Sequence, residues 1–233
     1  MKKYKAILFD ADQTLLDFKR SEAVAFRETA AYFGVECTDE LLEMYSASNY
    51  ESWLLLEKGE ITKKRLMTYR FERFFERAGL VEDPQVWNDY YKKRLAEAGF
   101  LLPFAKEILD YSFVHWDLYL VTNGISSVQN GRLDKLGIRP YFKDIFISEN
   151  IGAEKPSEAY FDGVFSAMQH TKEESLIVGD SLTSDIAGGL RYGIDTCFIN
   201  WKGVESCLSP TYTVANLREL YALLEKLGCV EGK

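Results

Sequence analysis

Two aspartates spaced by two, Asp10 and Asp12, directly follow a four-residue apolar run, Ala6-Ile7-Leu8-Phe9. A run that short, followed by acidic and turn-forming residues, suits a buried strand better than a helix. Carboxylates leaving the end of such a strand project from the sheet edge, where open α/β folds bind ligands. The pair is costly unless a cation, a proton or a ligand charge offsets it. Taken alone, the stretch also reads as an Asp-rich turn in which Asp12 or Thr14 caps the next helix.

More polar residues follow later apolar runs. Thr122, Asn123 and Gly124 come after Leu118–Val121, Lys155 and Pro156 a few residues after Ile145–Ile147, and Gly179, Asp180, Ser181 and Asp185 after Leu176–Val178. In a parallel sheet these strand ends share one edge, so the groups converge. Their types suit cleavage of a phosphate monoester. Asp10 is the candidate nucleophile, forming an acyl phosphate. Asp12 is the candidate acid and base, protonating the leaving alcohol and later deprotonating water. A hard divalent cation must offset Asp10 and the phosphate; Mg²⁺ fits, with Mn²⁺ as an alternative, held by Asp10, Asp180 and the backbone carbonyl of Asp12. The Thr122 hydroxyl and Asn123 N–H suit phosphate oxygens at a helix start, and Lys155 adds a point charge to them. Asp185 is placed behind this layer, holding Lys155 or a metal-bound water, with Ser181 and Thr14 as further supports. Each element alone has a bland counterpart: a turn, a surface dipeptide, or a helix-start acid favoured by the dipole. The ordered set over four strand ends is what points to chemistry.

The elements that must position these groups follow from the pattern along the chain. Residues 18–99 carry helical periodicity in four blocks, each closed by glycine: Gly34, Gly59, Gly79 and Gly99. From Pro103 onward helix and strand alternate, which implies a doubly wound, mostly parallel sheet with helices on both faces. The strand at Ala6–Phe9 must join that sheet, since an isolated strand cannot bury itself. The expected organisation is an α/β core of residues 1–17 and 100–233, with a four-helix cap of residues 18–99 inserted after the first strand. The cap is expected to act as a hinged lid that selects substrate.

Composition narrows the partners. The chain has 233 residues, 47% hydrophobic and 27% charged, with a formal net charge of -8. That balance disfavours a nucleic-acid polymer, which needs a basic face, but permits a small anion if a metal and backbone N–H groups supply positive field. Cys37, Cys197, Cys207 and Cys229 form no Cys-x-x-Cys, and His115 and His170 are the only histidines. A zinc site is therefore disfavoured, and the cysteines read as reduced thiols. No stretch approaches a membrane span or a signal peptide. The expectation is a cytoplasmic protein, acting on a small phosphorylated metabolite, with no membrane partner and an open oligomeric state.

On Asp10-Ala11-Asp12-Gln13-Thr14, Thr122, Lys155 and Gly179-Asp180-Ser181-Leu182-Thr183-Ser184-Asp185, the chain resembles the haloacid dehalogenase superfamily, in its phosphatase branch with an inserted helical cap. The resemblance spans about residues 4 to 226. It implies Asp10 as nucleophile, Asp12 as acid/base, Thr122 and Lys155 on phosphate, and Asp180 and Asp185 serving Mg²⁺. Gln13 stands where the family pattern has glycine, which concerns the local loop geometry. The DADQTLLDF run, the stretch from Trp53 to Phe71 and the VTNG run are also similar to pyrimidine nucleoside 5′-monophosphate phosphatases of that superfamily. That likeness implies pyrimidine nucleotides, modified ones included, as substrates.

Three rivals share part of this pattern. Dehalogenation uses an Asp nucleophile on carbon but needs neither Asp12 nor Asp180. A phosphosugar phosphatase or phosphomutase shares every motif; a mutase differs by excluding water. A non-enzymatic module that accepts phosphate on Asp10 has no use for Asp12 or a lid. Within the cap, Tyr45, Asn49 and Trp53 fall at i, i+4 and i+8 and share a helix face. That face serves either cap packing or stacking on a pyrimidine. Arg65 and Arg70 admit contact with a second anionic group or plain solvation.

Overall fold

A computed structural model of the chain describes residues 4–228. The expectations for Cys229 and the tail Glu231–Lys233 lie outside the described residues. In chain order, β1 (Ala6–Phe9) leads into α1 (Phe18–Tyr32), α2 (Asp39–Glu57), α3 (Lys63–Ala78) and α4 (Pro84–Glu97). Then follow α5 (Ala105–His115), β2 (Asp117–Thr122), α6 (Ser126–Leu136), β3 (Asp144–Ile147), α7 (Ser148–Ile151), α8 (Glu158–Ala167) and β4 (Ser175–Gly179). The chain continues through α9 (Ala187–Tyr192), β5 (Asp195–Ile199), β6 (Tyr212–Val214) and α10 (Leu217–Gly228). Two compact units result: residues 4–17, 101–126 and 136–228 in one, residues 18–100 and 127–135 in the other. Most of α6, which the sequence reading assigns to the α/β core, thus groups with the helical unit.

The α/β unit is built on one six-stranded sheet of order β3-β2-β1-β4-β5-β6, every pair parallel. β1 is central. Ile7 pairs with Leu118 on one side and Leu176 on the other, and all four residues of β1 are buried. Burial on both faces explains why β1 is continuously apolar and does not alternate. Ala6, Leu8, Tyr119, Val121, Phe146 and Ile177 pack on Tyr160, Phe161 and Val164 of α8. The chain leaves β1 toward β2 and β3 on one side and β4, β5 and β6 on the other, so the order reverses beside β1. The carboxyl edge at such a reversal opens a crevice between neighbouring loops. β6 is a strand that the sequence pattern does not announce.

The helical unit has its own core. Phe26 stacks on Tyr45 with centroids 4.4 Å apart, Phe33 stacks on Trp87 at 4.9 Å, and Phe71 and Phe74 fill between them. Thr38, Thr62 and Asp83 cap α2, α3 and α4 through their side-chain oxygens. A buried polar chain crosses this core. Asn49 donates to Glu22 at 2.7 Å, and Arg70 donates to Asn49 at 3.1 Å and Asn88 at 2.8 Å. No helix among the described residues is long and apolar enough to cross a membrane.

Candidate active site

Of the residues singled out on the strand ends, Asp10, Lys155, Asp180 and Asp185 meet at the carboxyl edge of β1, β2 and β4, with Asn123 bonded to the Lys155 backbone. Asp10 continues β1 by one residue, its N–H donating to the Val178 carbonyl at 2.9 Å. Lys155, only 2% exposed, lies between the strands and donates to the Asp10 carboxylate at 2.7 Å, the Asp185 carboxylate at 2.7 Å and the Val121 carbonyl at 2.8 Å. An ammonium has three protons to give, and these bonds account for all three. Asp180 completes the cluster: carboxylate oxygens of Asp10, Asp180 and Asp185 lie within 4.8 Å of one another.

Three carboxylates and one ammonium in a buried space leave excess negative charge. Like charges at about 5 Å repel by roughly 3 kcal/mol at an effective dielectric near 20, and Lys155 neutralises one of three. The protonation equilibria follow. Burial pushes Asp10 up to about 7, with Lys155 opposing and Asp185 adding to the rise. Burial, Asp10 and Asp185 push Asp180 up to about 8. Burial alone would lower Lys155, but Asp10 and Asp185 outweigh it and hold the ammonium above its usual range. Without a cation, the cluster therefore takes up protons near neutral pH. A hard oxygen-only donor set of excess charge fits Mg²⁺ or Mn²⁺ and gives a soft metal no thiolate or imidazole.

Local backbone explains how the groups reach these places. Gly179 ends β4 where a Cβ would stand 2.2 Å from an Asp185 carboxylate oxygen, so the close approach of Asp185 needs glycine there. Asp185 sits in a π-helical turn, Leu182–Ile186, capped by Ser181, whose side chain accepts from the Ser184 N–H. The Ser181 N–H donates to the second Asp185 oxygen at 3.1 Å. Both oxygens of Asp185 are thus engaged, and its carboxylate is fixed against Lys155.

Asp12 lies in a tight turn closed by N–H groups of Leu15 and Leu16 on the Ala11 carbonyl and of Gln13 on the Leu16 carbonyl. Gln13 has φ of 61°, the left-handed region in which glycine is unstrained. Thr14 is fully buried in the same turn. Thr122 is buried at the end of β2, its hydroxyl oxygen accepting the Gly124 N–H at 3.1 Å. Asn123 has a role that sequence does not disclose. Its side-chain amide donates to the Lys155 carbonyl at 2.8 Å and accepts the Lys155 N–H at 2.9 Å. This two-point clamp fixes the backbone from which Lys155 reaches into the cluster.

The cap residues fall elsewhere. Tyr45 is fully buried against Phe26, Phe71 and Phe74, and Asn49 is 2% exposed with its amide taken by Glu22 and Arg70. Neither offers a face for a base, because protein neighbours already occupy it. Trp53 on the same helix is half-buried. Arg70 is spent inside this core, and Arg65 pairs with Glu72 at 2.5 Å.

Residues 7–199 match the family model of the haloacid dehalogenase-like hydrolases. The chain is 37% identical over 227 residues to pyrimidine 5′-nucleotidase PynA of Streptococcus pneumoniae, covering 96% of each chain. It is 34% identical over 227 residues to pyrimidine 5′-nucleotidase YjjG of Escherichia coli, covering 96% of this chain and 99% of that one. The solved structure of YfnB of Bacillus subtilis, bound to magnesium, matches with a TM-score of 0.91 at 37% identity, covering 96% of this chain and 99% of that one. L-2-haloacid dehalogenase of Xanthobacter autotrophicus matches in fold alone, with a TM-score of 0.72 at 18% identity over 95% of this chain and 98% of that one.

Proposed function

The chain belongs to the haloacid dehalogenase-like hydrolases, and from that premise we propose that it is a Mg²⁺-dependent phosphatase of pyrimidine nucleoside 5′-monophosphates, modified ones included. The observation that carries the chemistry is Lys155, bonded to both Asp10 and Asp185 beside Asp180 at a sheet reversal. The names of PynA and YjjG support the substrate class.

Asp10 attacks phosphorus with the carboxylate oxygen that Lys155 leaves open, and the bond to the ester oxygen breaks. Asp12, two residues on, gives its proton to the departing alcohol and takes one back from the water that opens the aspartyl phosphate. Lys155 keeps Asp10 oriented and adds positive charge beside the transferring group. Thr122 and the Asn123 N–H supply donors for phosphate oxygens at the start of α6. Asp10, Asp180 and the Asp12 carbonyl would hold Mg²⁺, with Asp185 in reach, and the ion would offset phosphate charge as a Lewis acid. Mn²⁺ suits the same oxygens.

Substrate choice is assigned to the helical unit, with Trp53 as an aromatic that its own core leaves partly open. Base stacking of that kind contributes roughly 1–3 kcal/mol. Trp53→Ala should therefore lower kcat/KM for a pyrimidine nucleotide by about tenfold or more relative to an aryl phosphate; equal loss on both would remove Trp53 from recognition. The reading as a whole is tested by phosphate release from nucleoside monophosphates, phosphosugars and an aryl phosphate, with Mg²⁺ and with chelator. Metal-dependent release that is greatest for pyrimidine nucleotides is expected. Transfer of phosphate between sugar positions without release would indicate a mutase instead.

A further inference from the structure

Beyond the motif residues, the loop after β5 reaches the turn that carries Asp12. This loop is organised by itself. The Asn200 side chain donates to the Val204 carbonyl at 3.0 Å and accepts the Val204 N–H at 2.9 Å. The Asn200 N–H donates to the Val214 carbonyl of β6 at 2.8 Å, and Gly203 takes φ of 62° to close the bend. From this clamped loop Trp201, 39% exposed, extends its indole N–H to the Gln13 carbonyl at 2.8 Å. That bond joins residues 188 apart in the chain.

Gln13 is where such a bond matters. It follows Asp12 directly and holds a left-handed φ that side chains other than glycine rarely adopt. Its N–H is bonded to the Leu16 carbonyl and its carbonyl to Trp201, so both backbone groups of the strained residue are tied. The peptide joining Asp12 to Gln13 then has little freedom, which fixes the backbone from which the Asp12 side chain starts. We propose that Trp201 is a positioning residue for Asp12: its indole N–H holds the strained turn that aims the general acid. The proposal rests on the phosphatase reading, with Asp12 as the proton donor to the leaving group.

A misaimed acid harms esters that need a proton more than esters that do not. A nucleoside has a poor leaving oxygen and 4-nitrophenol a good one, so the two report differently on Asp12. Trp201→Phe keeps an aromatic ring and deletes the donor. The ratio of kcat/KM for a nucleoside monophosphate to that for 4-nitrophenyl phosphate should fall about tenfold. Amide hydrogen exchange of residues 12–16, followed by mass spectrometry on the full chain, should quicken. In a Gln13→Gly background the same replacement should shift the ratio by less than about threefold, because glycine adopts this left-handed φ without the steric penalty that the indole bond opposes. Damage to the fold at large would lower both rates together and would not be relieved by glycine. An unchanged ratio, unchanged exchange in the turn, or an effect undiminished in the glycine background overturns the role of Trp201. Wild-type protein that releases phosphate from neither ester would instead sink the phosphatase reading itself.

Discussion

At Asp10 two demands conflict. A nucleophilic carboxylate must be ionised, yet burial pushes this one up to about 7. Lys155 is the compensation, and its three bonds explain why a lysine stands there: one ammonium can serve two carboxylates and a carbonyl at once. Asp10→Asn removes both the nucleophile and one anionic donor, so it should abolish turnover. Asp12→Asn should leave phosphate and Mg²⁺ binding intact and lower kcat by about 10²-fold or more. Steady-state rates beside calorimetric Mg²⁺ titration check both, and near-normal turnover in either variant would reject the assigned role. The types at positions 10, 12, 155, 180 and 185 were legible in the sequence because each follows an apolar run short enough to be a strand. The Asn123 clamp was not, since it depends on two loops, 32 residues apart, approaching to hydrogen-bond distance. No local spacing encodes that.

At the scale of elements, the sheet edge does the gathering and one glycine sets how tightly. Gly179 is the last residue of β4, and the carboxylate that buttresses Lys155 occupies the place of its missing side chain. Gly179→Ala must move Asp185, because a Cβ would stand 2.4 Å from the carboxyl carbon of Asp185 as well. Relaxing such overpacking costs typically about 1–3 kcal/mol. The displaced Asp185 would also release Lys155, and kcat should drop by roughly 10- to 100-fold. Thermal denaturation and steady-state kinetics together check this; a stable, fully active Gly179→Ala protein would mean that Asp185 does not hold Lys155 for catalysis. The alternation of helix and strand was readable because strands buried on both faces are continuously apolar. β6 was not: Tyr212, Thr213 and Val214 make an edge strand of three residues, too short to show a period. The shared face of Tyr45 and Asn49 was readable too, but helical spacing says which residues lie together and not what lies opposite. Here the partners are Phe26, Phe71, Glu22 and Arg70.

For the molecule as a whole, the acids that serve the site also set how stability depends on pH. Asp10 moves from 3.8 to about 7 and Asp180 from 3.8 to about 8 on folding, both chiefly by burial. Glu22, in the helical unit, is likewise raised by burial. A group with a raised folded value binds more protons in the folded chain than in the unfolded one. Its contribution is therefore fully present below pH about 4 and is lost as pH rises through the folded value. Glu72, Asp89, Asp110 and Glu174 are lowered by partners at the surface and have the opposite sign. Their contribution is lost only as pH falls below the usual carboxylate range, and solvent weakens it. Between pH 5 and 8 Asp10 and Asp180 decide, so the chelated protein should melt lower at pH 8 than at pH 5, by about 5 °C or more. A divalent cation competes with those same protons for Asp10 and Asp180, so its binding should release protons and strengthen as pH rises. Saturating Mg²⁺ should then raise the melting temperature more at pH 8 than at pH 5. Glu22→Gln should leave the Mg²⁺-dependent increment in place, because Glu22 bonds Ser46 and Asn49 and not the acid cluster. Scanning calorimetry with chelator and with Mg²⁺ across that range measures all of these. An increment that is the same at both pH values would mean that the ion does not displace protons from Asp10 and Asp180, and would detach those carboxylates from the metal site.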